Sequence, residues 1–124
     1  MKTSAQYKLG THRKNRRVWL DNKTLLEASG FKVGALYCST YYPQSREITL
    51  QLHPEGDRKV AKKNETSPII DLNSNKVGWA LGDVEQVEVI YTEGYITITP
   101  LEEQERSINE LSNSFKKYQN KAQL

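Results

Sequence analysis

The reading turns on Arg17-Val18-Trp19-Leu20-Asp21-Asn22-Lys23-Thr24-Leu25-Leu26-Glu27-Ala28-Ser29-Gly30-Phe31-Lys32-Val33-Gly34-Ala35-Leu36-Tyr37-Cys38. Val18 and Leu20 alternate with polar neighbours as one face of a strand does. Asp21 or Asn22 can cap a helix, its side-chain oxygen accepting from the exposed amides of the first turn. Leu25, Leu26 and Ala28 supply the buried side of about two turns. Gly30 falls where a helix ends in a left-handed residue. The stretch predicts a short strand, a helix, a glycine stop and a second strand.

The chain then repeats this script. Ile69-Ile70-Asp71-Leu72-Asn73-Ser74-Asn75-Lys76-Val77-Gly78-Trp79-Ala80-Leu81-Gly82-Asp83 matches Val18 to Ile70, Leu25 to Val77 and Ala28 to Ala80. Gly30 lies ten residues after Leu20, as Gly82 does after Leu72. Each copy runs into a hairpin, Leu36 to Tyr42 with Glu47 to Leu52, then Gln86 to Tyr91 with Tyr95 to Thr99. Two copies of about 35 residues are too few for a solenoid. A unit of that size buries too little apolar surface to stand alone, so the halves are expected to share one core.

Strand, Leu-x-x-Ala-Gly-Phe-x-x-Gly, strand, turn and strand together resemble the swapped-hairpin barrel of AbrB-type DNA-binding proteins, nearest to the SymE-like branch. Leu25 to Gly34 carries the likeness, with Ser29 inserted between Ala28 and Gly30. In the second copy Asp83 stands for Phe31 and Gln86 for Gly34. The resemblance covers roughly residues 17–99. It implies a mostly β, α+β chain: a pseudo-two-fold swapped-hairpin barrel from two strand-helix-hairpin repeats, followed by a C-terminal helix. Unit one is expected over 17–52, a basic connector over 53–67 and unit two over 68–99.

The net charge of +3 conceals an asymmetry. Residues 1–67 hold thirteen Lys and Arg against six Asp and Glu, whereas residues 68–99 hold Lys76 against five acids. Two copies of one fold with opposite charge are expected to do different work. No apolar run is long enough to span a bilayer and no signal-peptide pattern is seen, so the expectation is a cytoplasmic chain, nucleoid-associated if bacterial. The single Cys38 has no internal disulfide partner, which agrees with a reducing compartment.

Residues 1–16 carry Lys2, Lys8, Arg13, Lys14 and Arg16 with no acid, and read as a basic flexible arm. The connector holds Arg58, Lys59, Lys62 and Lys63 around a short β-segment. Tyr37, Tyr41 and Tyr42, like Trp19 and Trp79, read as packing residues before base-stacking ones. Thr99, Pro100 and Glu102 form a capping box that opens a helix over 100–124. Its apolar stripe, Leu101, Ile108, Leu111, Phe115 and Tyr118, calls for cover by the barrel, a second copy or a protein partner.

No catalytic constellation is found. Cys38 has no histidine near it, and His12 and His53 stand alone in polar surroundings. There is no zinc-ligand cluster and no phosphate loop, so neither a cofactor nor a small-molecule substrate is expected. The chain therefore reads as a DNA-binding protein, a transcriptional regulator or nucleoid-type factor. Its phosphate contacts would come from Arg13, Lys14, Arg16, Arg17, Lys23, Arg58, Lys59, Lys62 and Lys63. Two alternatives come from the resemblance. One is an accessory subunit docking on a DNA-modifying or defence-system protein. The other is a toxin acting on RNA, for which the residues supply no general base or metal site.

Overall fold

The computed structural model describes residues 2–101. Their strands are β1 (Lys2–Lys8), β2 (Gly10–His12), β3 (Asn15–Leu20), β4 (Leu36–Tyr42), β5 (Glu47–Leu52), β6 (Arg58–Lys59), β7 (Ala61–Lys62), β8 (Pro68–Leu72), β9 (Gln86–Thr92) and β10 (Tyr95–Pro100), with helices α1 (Lys23–Ala28) and α2 (Asn75–Leu81). The protein is mostly β, built from antiparallel sheets. One has six strands in the order β1-β9-β10-β5-β4-β6, and the other four in the order β2-β3-β8-β7.

The helices begin and end as local chemistry dictates. Asn22 caps α1, its Oδ1 accepting from the Leu25 amide at 3.1 Å, and Ser74 caps α2 by accepting from Lys76. α1 ends at Ala28 with Ser29 as its cap, the Ser29 hydroxyl donating back to the carbonyls of Leu25 and Leu26 at 2.8 and 2.9 Å. Gly30 follows at φ 91°, as the sequence leads one to expect. Gly82, at φ 77°, ends α2 in the left-handed region that glycine enters without a Cβ penalty.

The strand registers obey a two-fold relation. Val18 faces Leu72 and Leu20 faces Ile70 across β3 and β8. These pairs exchange when Val18 is matched to Ile70 and Leu20 to Leu72, the match the sequence repeat makes. Across β5 and β10, Ile48 faces Ile98 and Leu50 faces Ile96, which exchange in the same way. Trp19 opposite Asp71 and Thr49 opposite Thr97 therefore mark the centres of the two sheets. One buried cluster lies between the sheets and draws on both halves, from Val18, Leu20, Leu26 and Phe31 to Val87, Tyr91, Ile96 and Ile98.

The expected flexible arm over 1–16 is corrected. β1 pairs with β9 over seven residues, from Lys2 opposite Thr92 to Lys8 opposite Gln86. Ala5, Tyr7 and Leu9 alternate onto the core while the lysines stay in water, and the Tyr7 hydroxyl meets that of buried Tyr91 at 2.5 Å. Desolvation raises the pKa of both phenols, so both remain protonated.

The connector matches this arm strand for strand. At Leu9, whose amide bonds Glu85 O at 2.8 Å, the chain leaves the larger sheet for the smaller. At Val60, whose amide bonds Ala35 O at 2.9 Å, it does the same. The closed barrel is replaced by two open sheets that share these two bent strands.

The other departures have equally local causes. Trp19 and Trp79 are 39% and 62% exposed, not core, because Val18, Leu20, Val77, Ala80 and Leu81 already fill the inward positions. Tyr37 is buried and edges onto Phe31, Tyr41 is half-buried and Tyr42 is exposed. Thr99 and Pro100 belong to β10, and Leu101 extends it by donating to Gln86 O at 3.0 Å. No helix starts at Thr99 for that reason. The rest of the expected helix lies outside the described residues.

Because β1 is part of the core, Tyr7→Phe should destabilise the protein by about 1–2 kcal/mol, leaving a buried phenol without its partner. Urea unfolding measures this, and an unchanged midpoint would contradict the docking of β1.

Candidate nucleic-acid interface

The β2–β3 hairpin closes on His12 opposite Asn15, which leaves Arg13-Lys14 as a two-residue turn. Both have positive φ, 51° and 72°. That is the geometry which matches the right-handed twist of the strands, and Asn-Gly usually fills it. Two long cations are an expensive choice there, because left-handed backbone costs an L-residue about 1–2 kcal/mol. Both are exposed and neither takes part in an ion pair among the described residues. Strained residues at an exposed tip point towards a role outside folding.

Next to this tip the outward side of the four-stranded sheet is self-neutralised. Arg17 forms a two-pronged contact with Asp71, Nε to Oδ1 and Nη2 to Oδ2, both 2.8 Å. Its guanidinium also lies 4.2 Å from the centre of the Trp19 ring. The Arg17 hydrogen bonds hold the Asp71 carboxyl below its usual range, against a smaller opposing effect of burial. Lys63 reaches Asp21 at 2.8 Å. That bond lowers the Asp21 pKa, and the Trp19 side chain adds to the effect. Arg17 and Lys63, both expected phosphate contacts, are therefore committed to acids of this same face.

Arg16 and Arg58 are also structural. Arg16 runs inward beside Gly78, where an added Cβ would come within 3.3 Å of its Cγ. Its guanidinium donates to the Val84 carbonyl and lies 3.8 Å from Asp83, while its Nε is buried without a partner. Arg58 is half-buried, with Nε 3.4 Å from the Tyr37 hydroxyl. Of the nine residues expected from sequence, Arg13, Lys14, Lys23, Lys59 and Lys62 remain exposed and outside any ion pair among the described residues.

These five do not make one patch. Arg13 and Lys14 occupy one end of the smaller sheet. Lys62, opposite Pro68, and Lys23, two residues beyond Asp21, occupy the other end, and Lys59 lies three residues before Lys62. Of the expected association stripe, Leu101 is 6% exposed and its amide bonds Gln86 O at the end of β10. Ile108, Leu111, Phe115 and Tyr118 lie outside the described residues.

Sequence reasoning missed Asp71 and Arg46. Asp71 stands opposite Trp19 in the antiparallel register, which makes Arg17, two residues back on the same face, its diagonal neighbour, within reach of a long side chain. Arg46, at φ 55° in the β4–β5 turn, donates to Leu81 O at 2.6 Å, and nothing local in the sequence signals that contact. Among the described residues no cluster of His, Cys, Asp and Glu could hold a metal ion, and no helix is long and apolar enough to cross a membrane.

The Arg17–Asp71 contact gives a pH signature. Asp71 has a depressed folded-state pKa, so its contribution to stability is complete above the ordinary value of 3.8 and fades as pH falls through the folded-state value. Arg17→Ala should lower the stability at pH 7 by removing the partner that favours the ionised Asp71 carboxylate. The gap from the parent should close in acid, as urea titrations at several pH values would show. A gap that persists below the folded-state value would assign the loss to packing on Trp19 instead. Comparison of the chain with protein-family models, with curated proteins and with solved structures finds no match.

Proposed function

We propose that the chain is a DNA-binding protein of the regulator or nucleoid-factor kind, whose affinity comes mainly from phosphate contacts. The observation that carries this reading is the Arg13-Lys14 turn: two exposed cations held at positive φ at a hairpin tip. Lys23, Lys59 and Lys62 extend the contact set, while Arg16, Arg17, Arg58 and Lys63 stabilise the sheets that present it.

We propose further that the fold is an internally duplicated relative of the AbrB-type swapped-hairpin barrel, SymE-like in its Leu25–Gly34 segment. The palindromic strand orders and the exchangeable registers support this. A second reading, an accessory subunit that docks on another protein, draws on Trp79, a large apolar side chain left 62% exposed on α2.

Five phosphate contacts to duplex DNA give a salt slope of about −4.5, so affinity should fall on the order of five-hundredfold between 50 and 200 mM salt. The double variant Arg13→Glu, Lys14→Glu should flatten that slope by about 2, and Arg17→Ala should leave it nearly unchanged. A gel-shift series with duplex DNA, single-stranded DNA and RNA tests this. Salt-insensitive binding rejects the phosphate mechanism, and RNA bound or cleaved in preference to duplex moves the reading to the RNA-directed alternative.

A further inference from the structure

Of the exposed cations outside any ion pair among the described residues, Arg13 and Lys14 lie at one end of the four-stranded sheet and Lys23 and Lys62 at the other. These ends are related by the two-fold operation that exchanges β3 with β8, while Lys2, Lys8 and Lys59 belong to the larger sheet. Arg13 and Lys14 form the tip that precedes β3. Lys62 precedes the loop into β8, and the pairings of Lys62 with Pro68 and of Leu20 with Ile70 bring it level with the start of α1, where Lys23 lies. The two ends are about nine residue steps apart along the sheet, or roughly 30 Å at about 3.3 Å per step. One turn of B-form DNA rises about 34 Å.

Between the ends, the outward face contributes no net charge. Arg17 is matched by Asp71 and Lys63 by Asp21 at 2.8 Å each, and half-exposed Trp19 fills the centre. A duplex laid along this face would meet positive charge at both ends and none in the middle.

We infer that the ligand is duplex DNA bound along the outward face of the four-stranded sheet, with Arg13 and Lys14 on its backbone at one point and Lys23 and Lys62 about one helical turn away. The inference rests on the nucleic-acid reading above and adds to it the ligand's form and its footprint. The two contacts are unequal, because Glu65 in the loop beyond Lys62 offsets one of the charges at that end. The Arg13-Lys14 end therefore carries the larger share of the affinity.

Hydroxyl-radical footprinting of the full chain on a duplex of about two turns tests this. The expected result is two protected backbone clusters about ten base pairs apart, with an unprotected gap between them. Arg13→Glu with Lys14→Glu should erase one cluster and Lys62→Glu the other, with the greater loss of affinity in the first variant. A duplex shorter than one turn should bind at least about tenfold more weakly, since it reaches a single end. One continuous cluster, or equal affinity for the short duplex, overturns the spanning geometry while leaving DNA binding in place. No complex with any duplex at low salt overturns both.

Discussion

The structure depends on two carbonyl groups that the short helices cannot satisfy themselves. At the end of α1 the Ser29 carbonyl accepts from the Gly94 amide at 2.8 Å, and at the end of α2 the Leu81 carbonyl accepts from Arg46 at 2.6 Å. Each donor belongs to the hairpin turn of the other half. Ser29 and Leu81 occupy matched positions, so the exchange is reciprocal. The last carbonyls of a helix need partners from elsewhere, and here each half supplies the other's. Helices of six and seven residues are too short to persist without such tertiary support.

This interlock explains why neither half reads as a domain. The core cluster crosses the two-fold relation, with Ile48 and Leu50 facing Ile98 and Ile96 across the centre of the larger sheet. It also makes the halves differ where their turns differ. The first turn is long enough to send an arginine side chain to its target, beside Gly82, where any Cβ would collide with that arginine. The second reaches its target with backbone alone, at Gly94 with φ 75°. One geometry is thus met by two chemistries, while both halves keep a glycine at positive φ after the helix, Gly30 and Gly82, crowded by Leu52 in one and by Arg46 in the other.

The charge asymmetry along the chain acquires a structural meaning. Asp21 and Asp71 neutralise Lys63 and Arg17 on one outward face, so the smaller sheet keeps its uncompensated positive charge at its ends, at Arg13 and Lys14 and at Lys23 and Lys62. Charged side chains that fold the protein and charged side chains left for a partner have the same composition. Position in the register separates them. Arg16 and Arg17 are adjacent, yet alternation along β3 sends one inward to the Val84 carbonyl and the other outward to Asp71.

Much of the fold was legible because it is written in local periodicity. The spacing of Val18, Leu20 and Leu26, the cap at Asn22, and the alternation of Ile48 and Leu50 need only neighbouring residues to be understood, and the structure repeats them. The strand of Ala5, Tyr7 and Leu9 was legible by the same rule, but five cations among its neighbours gave residues 1–16 the composition of a solvated arm. The outward positions of Trp19 and Trp79 could not be read from hydrophobicity, since an aromatic residue looks the same whether or not the inward sites beside it are already taken.

By itself, the sequence determined the short helix after β3 with its cap at Asn22, the two hairpins and the matching of one half to the other, because these rest on interactions within a few residues. Only the tertiary structure decided which cations are free, because an ion pair such as Lys63 with Asp21 joins residues far apart in the chain. It alone also decided that the sheets stay open, since the bends at Leu9 and Val60 depend on carbonyls of Glu85 and Ala35 that arrive from elsewhere in the fold.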